Sequence, residues 1–118
     1  MTVEVTQATM ERYFQLMSSG EDFSELYTAD VRWLMADTGQ EVRGPTAVRD
    51  YLNDLHSKML SGQQRDLVIA DDQAFLEGDA VNGDASNSGL SYCIVYDLSD
   101  ARIADMRCYG TLANLMDP

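Results

Sequence analysis

Cysteine and histidine are the residue types best able to bind a metal ion, and this sequence contains few of them. The chain has two cysteines, Cys93 and Cys108, and a single histidine, His56. The cysteines do not form a C-x-x-C pair, and one histidine cannot complete the four ligands of a structural zinc site. We therefore predict no metal site and no other cofactor.

One carboxylate that could act in acid–base chemistry lies beside a turn. Strand alternation places Trp33, Met35 and Asp37 on one face, and a bulge would bring the Asp37 carboxylate beside the two apolar side chains. Asp37 also begins an Asp-Thr-Gly sequence that favours a turn, so both interpretations, inward base and turn residue, stay open.

A row of polar residues is predicted on one face of a later strand and consists of Asn82, Asp84 and Ser86. This row is either solvated or able to orient a substrate.

Composition and charge limit the classes of partner. The chain has 118 residues, 45% of them apolar, which suits one globular domain over residues 1–118. Its formal charge of −12, from 20 acidic and 8 basic residues, would repel nucleic acid and anionic lipid. With no signal-peptide pattern and no apolar run of ~18 residues, we expect a cytoplasmic protein without a membrane partner, in which both thiols stay reduced.

Three helices are predicted in the first half of the chain. Apolar residues at helical spacing mark a first helix over residues 6–19 and a long third helix that begins at Gly44-Pro45 and ends at Gly62. Between them, Asp22 precedes Glu25 by three residues, which is an N-cap pattern and predicts a short helix ending near Thr28.

The rest of the chain has the residue pattern of strands separated by turns. A hairpin is predicted over residues 31–36 and 41–43, and further strands over residues 65–70, 73–77, 80–87, 90–98 and 103–112, with 99–101 closing the last hairpin. Three helices followed by antiparallel strands form an α+β pattern, with the helices packed on one face of a curved sheet.

Four stretches of this sequence resemble a known superfamily. Residues 10–16 (MERYFQL) resemble the first helix of ketosteroid isomerases, and residues 96–109 (YDLSDARIADMRCY) resemble the terminal hairpin of SnoaL-like domains. Residues 27–31 (YTADV) and 43–48 (RGPTAV) resemble the first strand entry and the start of the long helix. The chain is thereby identified as a member of the nuclear transport factor 2-like superfamily, in its SnoaL-like polyketide cyclase and ketosteroid isomerase branch.

The resemblance implies a cone-shaped α+β barrel with one deep apolar pocket and no cofactor. Its walls would come from the inner faces of the first and third helices and from alternate strand residues. The side chains expected to contact a substrate there are Phe14, Met17, Trp33, Met35, Leu52, Leu55, Ile94, Met106 and Cys108.

The resemblance also implies enolisation chemistry, in which a carboxylate removes a proton from carbon while fixed donors stabilise the oxygen that gains charge. Tyr13 falls on the oxyanion-hole tyrosine of ketosteroid isomerases, although it also lies on the apolar stripe of its helix. Tyr92 takes the place of their second donor. The base of the isomerases is an aspartate near the end of the first strand. Counted forward along the strand, Met35 occupies its place, whereas counted back from the turn, Asp37 lies one residue out of register with it. Asp37 is therefore the candidate base.

Two other activities of the superfamily fit the residues less well. The Asp-Arg-Asp set of limonene-type epoxide hydrolases needs an arginine on a middle strand, but no arginine or lysine lies between Arg65 and Arg102. Scytalone dehydratase-like members use histidines inside the cone, whereas His56 lies at the margin of the third helix's apolar stripe, which predicts a surface or rim position.

Two functional hypotheses follow. The first is an isomerase- or cyclase-type enzyme acting on a small polyketide-like, terpenoid or steroid-like carbonyl compound, with Asp37 as base and Tyr13 and Tyr92 as donors. The second is a non-catalytic ligand-binding or dimerisation module of the same fold. The resemblance implies a homodimer formed through the outer sheet face, with apolar contacts from Tyr109, Leu112 and Leu115.

Overall fold

In the part of the chain that the structure describes, each of the two α-helices is followed by a group of strands, two after the first and four after the second. The structure is a computed structural model that describes residues 2–82 and 90–110. Its elements are helix α1 (Val3–Ser18), a 3₁₀ turn (Ser24–Leu26), strands β1 (Tyr27–Met35) and β2 (Gln40–Arg43), helix α2 (Pro45–Ser57), and strands β3 (Met59–Ala70), β4 (Gln73–Asn82), β5 (Leu90–Ser99) and β6 (Arg102–Gly110).

The six strands form one curved sheet in the order β2-β1-β6-β5-β4-β3. Neighbouring strands are antiparallel except β1 and β6, which are parallel. The prediction of a wholly antiparallel sheet was therefore wrong, because the chain leaves β1 through β2 and α2 and returns to its other side only with β6. The sheet is also unclosed, since β2 and β3 are edge strands, so the cone is not a closed barrel.

Helix α1 begins three residues earlier than its apolar spacing predicts. Thr2 is the N-cap, and its side-chain oxygen accepts a hydrogen bond from the backbone N–H of Val5 at 3.2 Å. Such a cap satisfies a backbone donor that the first turn leaves free. The buried face of the helix carries Thr6, Met10 and Tyr13 and presses them against the sheet.

The predicted second helix is not formed, so the structure has two α-helices in its described residues rather than three. Asp22 accepts a hydrogen bond from the Ser24 N–H at 2.9 Å, but only one 3₁₀ turn follows. The chain becomes extended at Tyr27 because that residue is buried and pairs with Ile103 of β6. Tertiary packing thus overrides a local capping signal.

Helix α2 is shorter than predicted. Gly44, with φ 93°, and Pro45 open it as expected, but it ends at Ser57. Met59 to Gly62 are the first residues of β3 and pair with the end of β4. None of the helices in residues 2–82 and 90–110 is long and apolar enough to cross a membrane.

Strands β3 and β4 are longer than the sequence predicted. The strands predicted over residues 73–77 and 80–87 form the single strand β4, which passes through Gly78 without a break. The remaining residues of the second predicted strand lie in residues 83–89, outside the described ranges. The two-residue turn at Asp100-Ala101 closes the β5–β6 hairpin, which confirms that prediction. Both turn residues have positive φ, 50° and 62°, as a type I′ turn requires.

The outer face of the sheet carries a charge network. Asp97 and Asp105 lie directly opposite each other on β5 and β6, and Arg107 Nη1 bridges them, 2.6 Å from Asp97 Oδ2. Arg32 Nε donates to Asp105 Oδ1 at 2.6 Å. Partial burial alone would raise the pKa of both carboxyl groups, but the arginine hydrogen bonds outweigh it and lower the pKa of each. The network is explained by the need to neutralise two facing carboxylates.

Candidate functional site

A cavity of about 340 Å³ lies between the two helices and the inner face of the sheet. Helix α1 contributes Tyr13, Phe14, Met17 and Ser18, and helix α2 contributes Leu52, Leu55 and His56. The sheet side consists of Trp33, Met59, Gly62, Gln64, Leu76, Tyr92, Ile94 and Tyr96. These described residues include no aspartate, glutamate, lysine or arginine, so the cavity suits a ligand without a net charge.

The cavity-lining residue Tyr13 shares a hydrogen bond with the buried Tyr27 of the core behind it, and we call these two hydroxyls the inner hydroxyl pair. The Oη atoms of Tyr13 and Tyr27 are 2.6 Å apart, and Tyr13 Oη lies 3.7 Å from Met106 Sδ. Tyr13 is fully buried, and only 3% of Tyr27 is exposed. Burial raises the pKa of both phenols well above the ordinary value. Both therefore stay protonated at neutral pH and act as hydrogen-bond donors.

Local sequence explains how the inner hydroxyl pair forms. Tyr13 lies on the buried face of α1, and Tyr27 begins β1 as the 3₁₀ turn ends. The Tyr13 ring makes edge contacts with Phe23 and Tyr96, at centroid distances of 5.5 and 6.2 Å. Such aromatic contacts fix the ring. The Tyr13 hydroxyl is consequently held at one position.

Trp33 carries a polar group that the protein leaves unpaired. Its side chain lines the cavity and is 1% exposed, and its indole Nε1 makes no hydrogen bond to any described residue. Burial raises the pKa of the Tyr51 phenol, whose ring centroid lies 6.2 Å from that of Trp33. A buried donor without a partner costs about 1–3 kcal/mol.

The open end of the cavity carries three polar side chains, His56, Gln64 and Tyr92, which we call the mouth group. His56 and Gln64 are exposed on one side and Tyr92 is half-buried. Gln64, Gly78 and Tyr92 form one row across β3, β4 and β5. Because Tyr92 is four residues from Tyr96 on β5, this row lies about 13 Å along the strand from the Tyr96 row beside Tyr13. The cavity is therefore polar at both ends.

Tyr92 owes its position to a glycine on the neighbouring strand. A Cβ atom added to Gly78 would lie 2.5 Å from Tyr92 Oη, 2.7 Å from Tyr92 Cζ and 2.8 Å from the carbonyl oxygen of Gln63. The Tyr92 ring thus occupies the space that any larger residue at position 78 would fill. Burial is the main cause that raises the pKa of the Tyr92 phenol. The phenol therefore stays protonated and can donate a hydrogen bond.

Asp37, the predicted base, lies outside the cavity. Strand β1 ends at Met35, and Asp37 is exposed in the turn that leads to β2. This turn is held by the Gly39 N–H, which donates to the Met35 carbonyl at 2.8 Å, and by the Ala36 N–H, which donates to the Cys108 carbonyl at 2.9 Å. No bulge turns the carboxylate inward, and the residue occupies the turn position that its sequence also favoured.

The predicted wall residues fall into two groups. Six line the cavity: Phe14, Met17, Trp33, Leu52, Leu55 and Ile94. The other three, Met35, Met106 and Cys108, are buried in the core but do not border the cavity. Met106 lies behind the Tyr13 hydroxyl, and Met35 pairs with Cys108 between β1 and β6. Burial raises the pKa of the Cys108 thiol to about 12, so this group stays a neutral core residue.

Several lining residues had no signal in the sequence. Met59 and Gly62 were assigned to the long helix, and Gln64 was placed outside any strand. A register shift between Gln64 and Asp66 changes which side chains face inward, and this shift could not be read from the local pattern. The polar row of Asn82, Asp84 and Ser86 lies outside the described side chains, as do Leu112 and Leu115.

The described residues contain no group of three or more histidine, cysteine, aspartate or glutamate side chains placed to hold a metal ion. The arrangement offers instead phenol donors, one amide and one imidazole around an apolar space. These groups can hydrogen-bond oxygen atoms and move protons.

The sequence matches the family model described as SnoaL-like domain over residues 10–106. The chain belongs to the SnoaL-like family. Among curated proteins no sequence matches it. The family match confirms the resemblance to the nuclear transport factor 2-like superfamily that the sequence motifs indicated.

Solved structures show the same fold at low sequence identity. A steroid delta-isomerase from Pseudomonas aeruginosa aligns with a TM-score of 0.81 and 17% identity, over 96% of this chain and 87% of that one. A nuclear transport factor 2-like protein from Burkholderia xenovorans gives 0.79 and 13%, over 99% of both chains. A de novo designed protein with a curved β-sheet gives 0.77 and 13%, over 99% and 98%. Since the SnoaL-like fold is shared this widely, the site must decide the function.

Proposed function

We propose that this SnoaL-like protein binds a small, mainly apolar carbonyl compound in the cavity, with one ligand oxygen accepting a hydrogen bond from Tyr13. The observation that carries this proposal is the inner hydroxyl pair, because its member Tyr13 lines the apolar space and is a donor whose ring is fixed by packing. Among the residues that the structure describes, the only acceptor for Tyr13 besides Tyr27 is the Met106 thioether. Sulfur is a weak acceptor, so a ligand oxygen would be the better partner.

The second tyrosine strengthens that interaction. When Tyr13 donates to the ligand, Tyr27 can donate to Tyr13 Oη across their 2.6 Å separation. Hydrogen bonds arranged in such a chain polarise one another in a low-dielectric interior. An oxygen that gains negative charge during a reaction would profit most from it.

The apolar walls supply most of the affinity. Phe14, Met17, Leu52, Leu55 and Ile94 surround the space between the two polar ends. Burial of apolar ligand surface is worth roughly 25 cal/mol per Å² before the costs of association. A volume of about 340 Å³ lies at the small end of the range for ligand pockets, which favours a ligand of two or three fused rings.

Isomerase- or cyclase-type proton transfer on such a compound is the catalytic form of this proposal, and the family match and the steroid delta-isomerase fold support it. The alternative is binding without turnover. It is favoured by the position of Asp37, because the predicted base is exposed and no carboxylate lines the described cavity.

A matched pair of variants on β5 tests the binding site. We expect 2-naphthol, a bicyclic phenol, to bind the wild-type protein in calorimetric titrations with a negative heat-capacity change. Ile94→Phe places a larger ring in the cavity beside the proposed ligand position and should weaken binding at least about tenfold. Val95→Phe adds even more volume on the opposite face of the same strand and should bind like the wild type. Equal affinities for the two variants would place the ligand elsewhere.

A further inference from the structure

His56 is the one cavity-lining residue in the described ranges whose side chain changes charge near neutral pH. It lies in the last turn of α2 and borders the cavity at the exposed end, together with Gln64 and Tyr92. An acid–base reaction needs a group of this kind in contact with the substrate. Asp37 does not provide it, because it lies in the exposed turn outside the cavity.

We propose that His56 is the general base of this cavity and Tyr92 the donor to the reacting oxygen, so that proton transfer occurs at the mouth while Tyr13 anchors the far end of the ligand. The inference rests on the proposed binding function, since Tyr13 must hold one oxygen for the other end to reach His56. It implies a ligand that is apolar in the middle and carries an oxygen at each end.

The reaction uses only groups present at the mouth. The neutral imidazole of His56 takes a proton from the carbon beside the carbonyl, and the electron pair of that C–H bond forms a C=C bond. The carbonyl π pair moves onto oxygen, where the Tyr92 hydroxyl donates to it. The imidazolium then returns a proton to carbon and the C=O bond reforms, at the same carbon in an exchange or at a conjugated carbon in an isomerisation.

The surroundings of His56 keep its imidazole neutral at physiological pH. The other polar side chains of the mouth group are uncharged, the phenol of Tyr92 and the amide of Gln64. On its own helix, the charged groups nearby are Asp54 and Lys58, whose side chains pair with each other at 3.2 Å. Desolvation lowers the pKa of His56 below its ordinary value, which favours the form that accepts a proton.

Tyr92 is suited to the second role. It is held over Gly78, and its phenol is protonated because burial raises its pKa. His56 and Tyr92 line the cavity from different elements, α2 and β5. A carbonyl group between them would therefore meet a base on one side and a donor on the other.

Proton exchange on a model ketone tests this inference. The probe is 6-hydroxy-2-tetralone, which carries a phenol oxygen at one end and a ketone with exchangeable α-protons at the other. In D₂O, we expect the wild type to accelerate loss of the α-proton NMR signals and His56→Gln to reduce that acceleration at least about 100-fold. The rate should rise with pH through the depressed pKa of His56 and level off by neutrality, because only the neutral imidazole acts as base.

Binding of 2-naphthol separates the two proposals. His56→Gln changes one lining residue but keeps Tyr13 and the apolar walls, so it should lose far less affinity for 2-naphthol than it loses exchange activity. Full exchange activity in His56→Gln, loss of exchange in Asp37→Asn, or a wild type that binds the ketone without exchange would each overturn the role of His56. Failure of the wild type to bind 2-naphthol would overturn the proposed function itself, and this inference with it.

Discussion

Replacing Tyr13 with phenylalanine should weaken 2-naphthol binding by about 5- to 150-fold. The substitution keeps the ring and its contacts with Phe23 and Tyr96 but removes the donor that Tyr13 provides to the cavity. A buried ligand oxygen left without a partner costs about 1–3 kcal/mol, and each 1.4 kcal/mol is about tenfold in affinity. Calorimetric titration of the purified variant measures the loss directly.

A tyrosine on the outside of the sheet provides the control for this experiment. Tyr109 is 45% exposed on β6 and does not border the cavity, so Tyr109→Phe should bind 2-naphthol with wild-type affinity. Tyr13→Phe also leaves the buried Tyr27 hydroxyl without its partner, and the free energy of unfolding should fall by about 1–3 kcal/mol. Unchanged affinity in a folded Tyr13→Phe variant would remove the anchor from the account.

Gly78→Ala should lower the free energy of unfolding by about 1–3 kcal/mol, the usual cost of overpacking a full interior. The new methyl group would lie 2.5 Å from Tyr92 Oη and 2.8 Å from the backbone oxygen of Gln63. The phenol can move, but the backbone oxygen belongs to the β3–β4 pairing and cannot move freely. Equilibrium unfolding in urea gives the change in stability.

Gly62 offers a matched control on the neighbouring strand. A Cβ atom there would meet the terminal methyl of Met59 at 2.6 Å, and its next neighbour is the Asp79 carbonyl oxygen at 3.8 Å. Since a methionine end can turn away, Gly62→Ala should cost much less than Gly78→Ala. If both variants unfold at the same urea concentration, the Tyr92 ring does not depend on Gly78 for its place.

Long periodic segments and turns were predictable from the sequence, and the packing between distant strands was not. The apolar stripe around Tyr13 and the Gly44-Pro45 start of the long helix predicted both α-helices to within a few residues at their beginnings. Asp22 and Glu25 predicted a helix that burial of Tyr27 prevents. The parallel pairing of β1 with β6 joins residues about seventy positions apart, for which no local pattern exists.

The candidate site shows the same division. Helical spacing placed Phe14, Met17 and Tyr13 on the cavity side of α1, where the structure has them. Asp37 required a bulge that is absent, and its short-range turn preference prevailed. Gln64 faces the cavity only through a shift in strand register, which depends on long-range pairing. His56 was predicted at the surface or rim, and its position at the cavity mouth gives it the chemical role that Asp37 lacks.

A crystal structure of the protein with 2-naphthol is the most direct test of the central claim, which is that Tyr13 anchors a ligand oxygen inside the cavity. We expect the naphthol rings to lie between Leu55 and Ile94, with the ligand oxygen at hydrogen-bond distance, about 2.6–3.2 Å, from Tyr13 Oη. A naphthol on the outer sheet face, or one inside the cavity with its oxygen turned away from Tyr13, would contradict it.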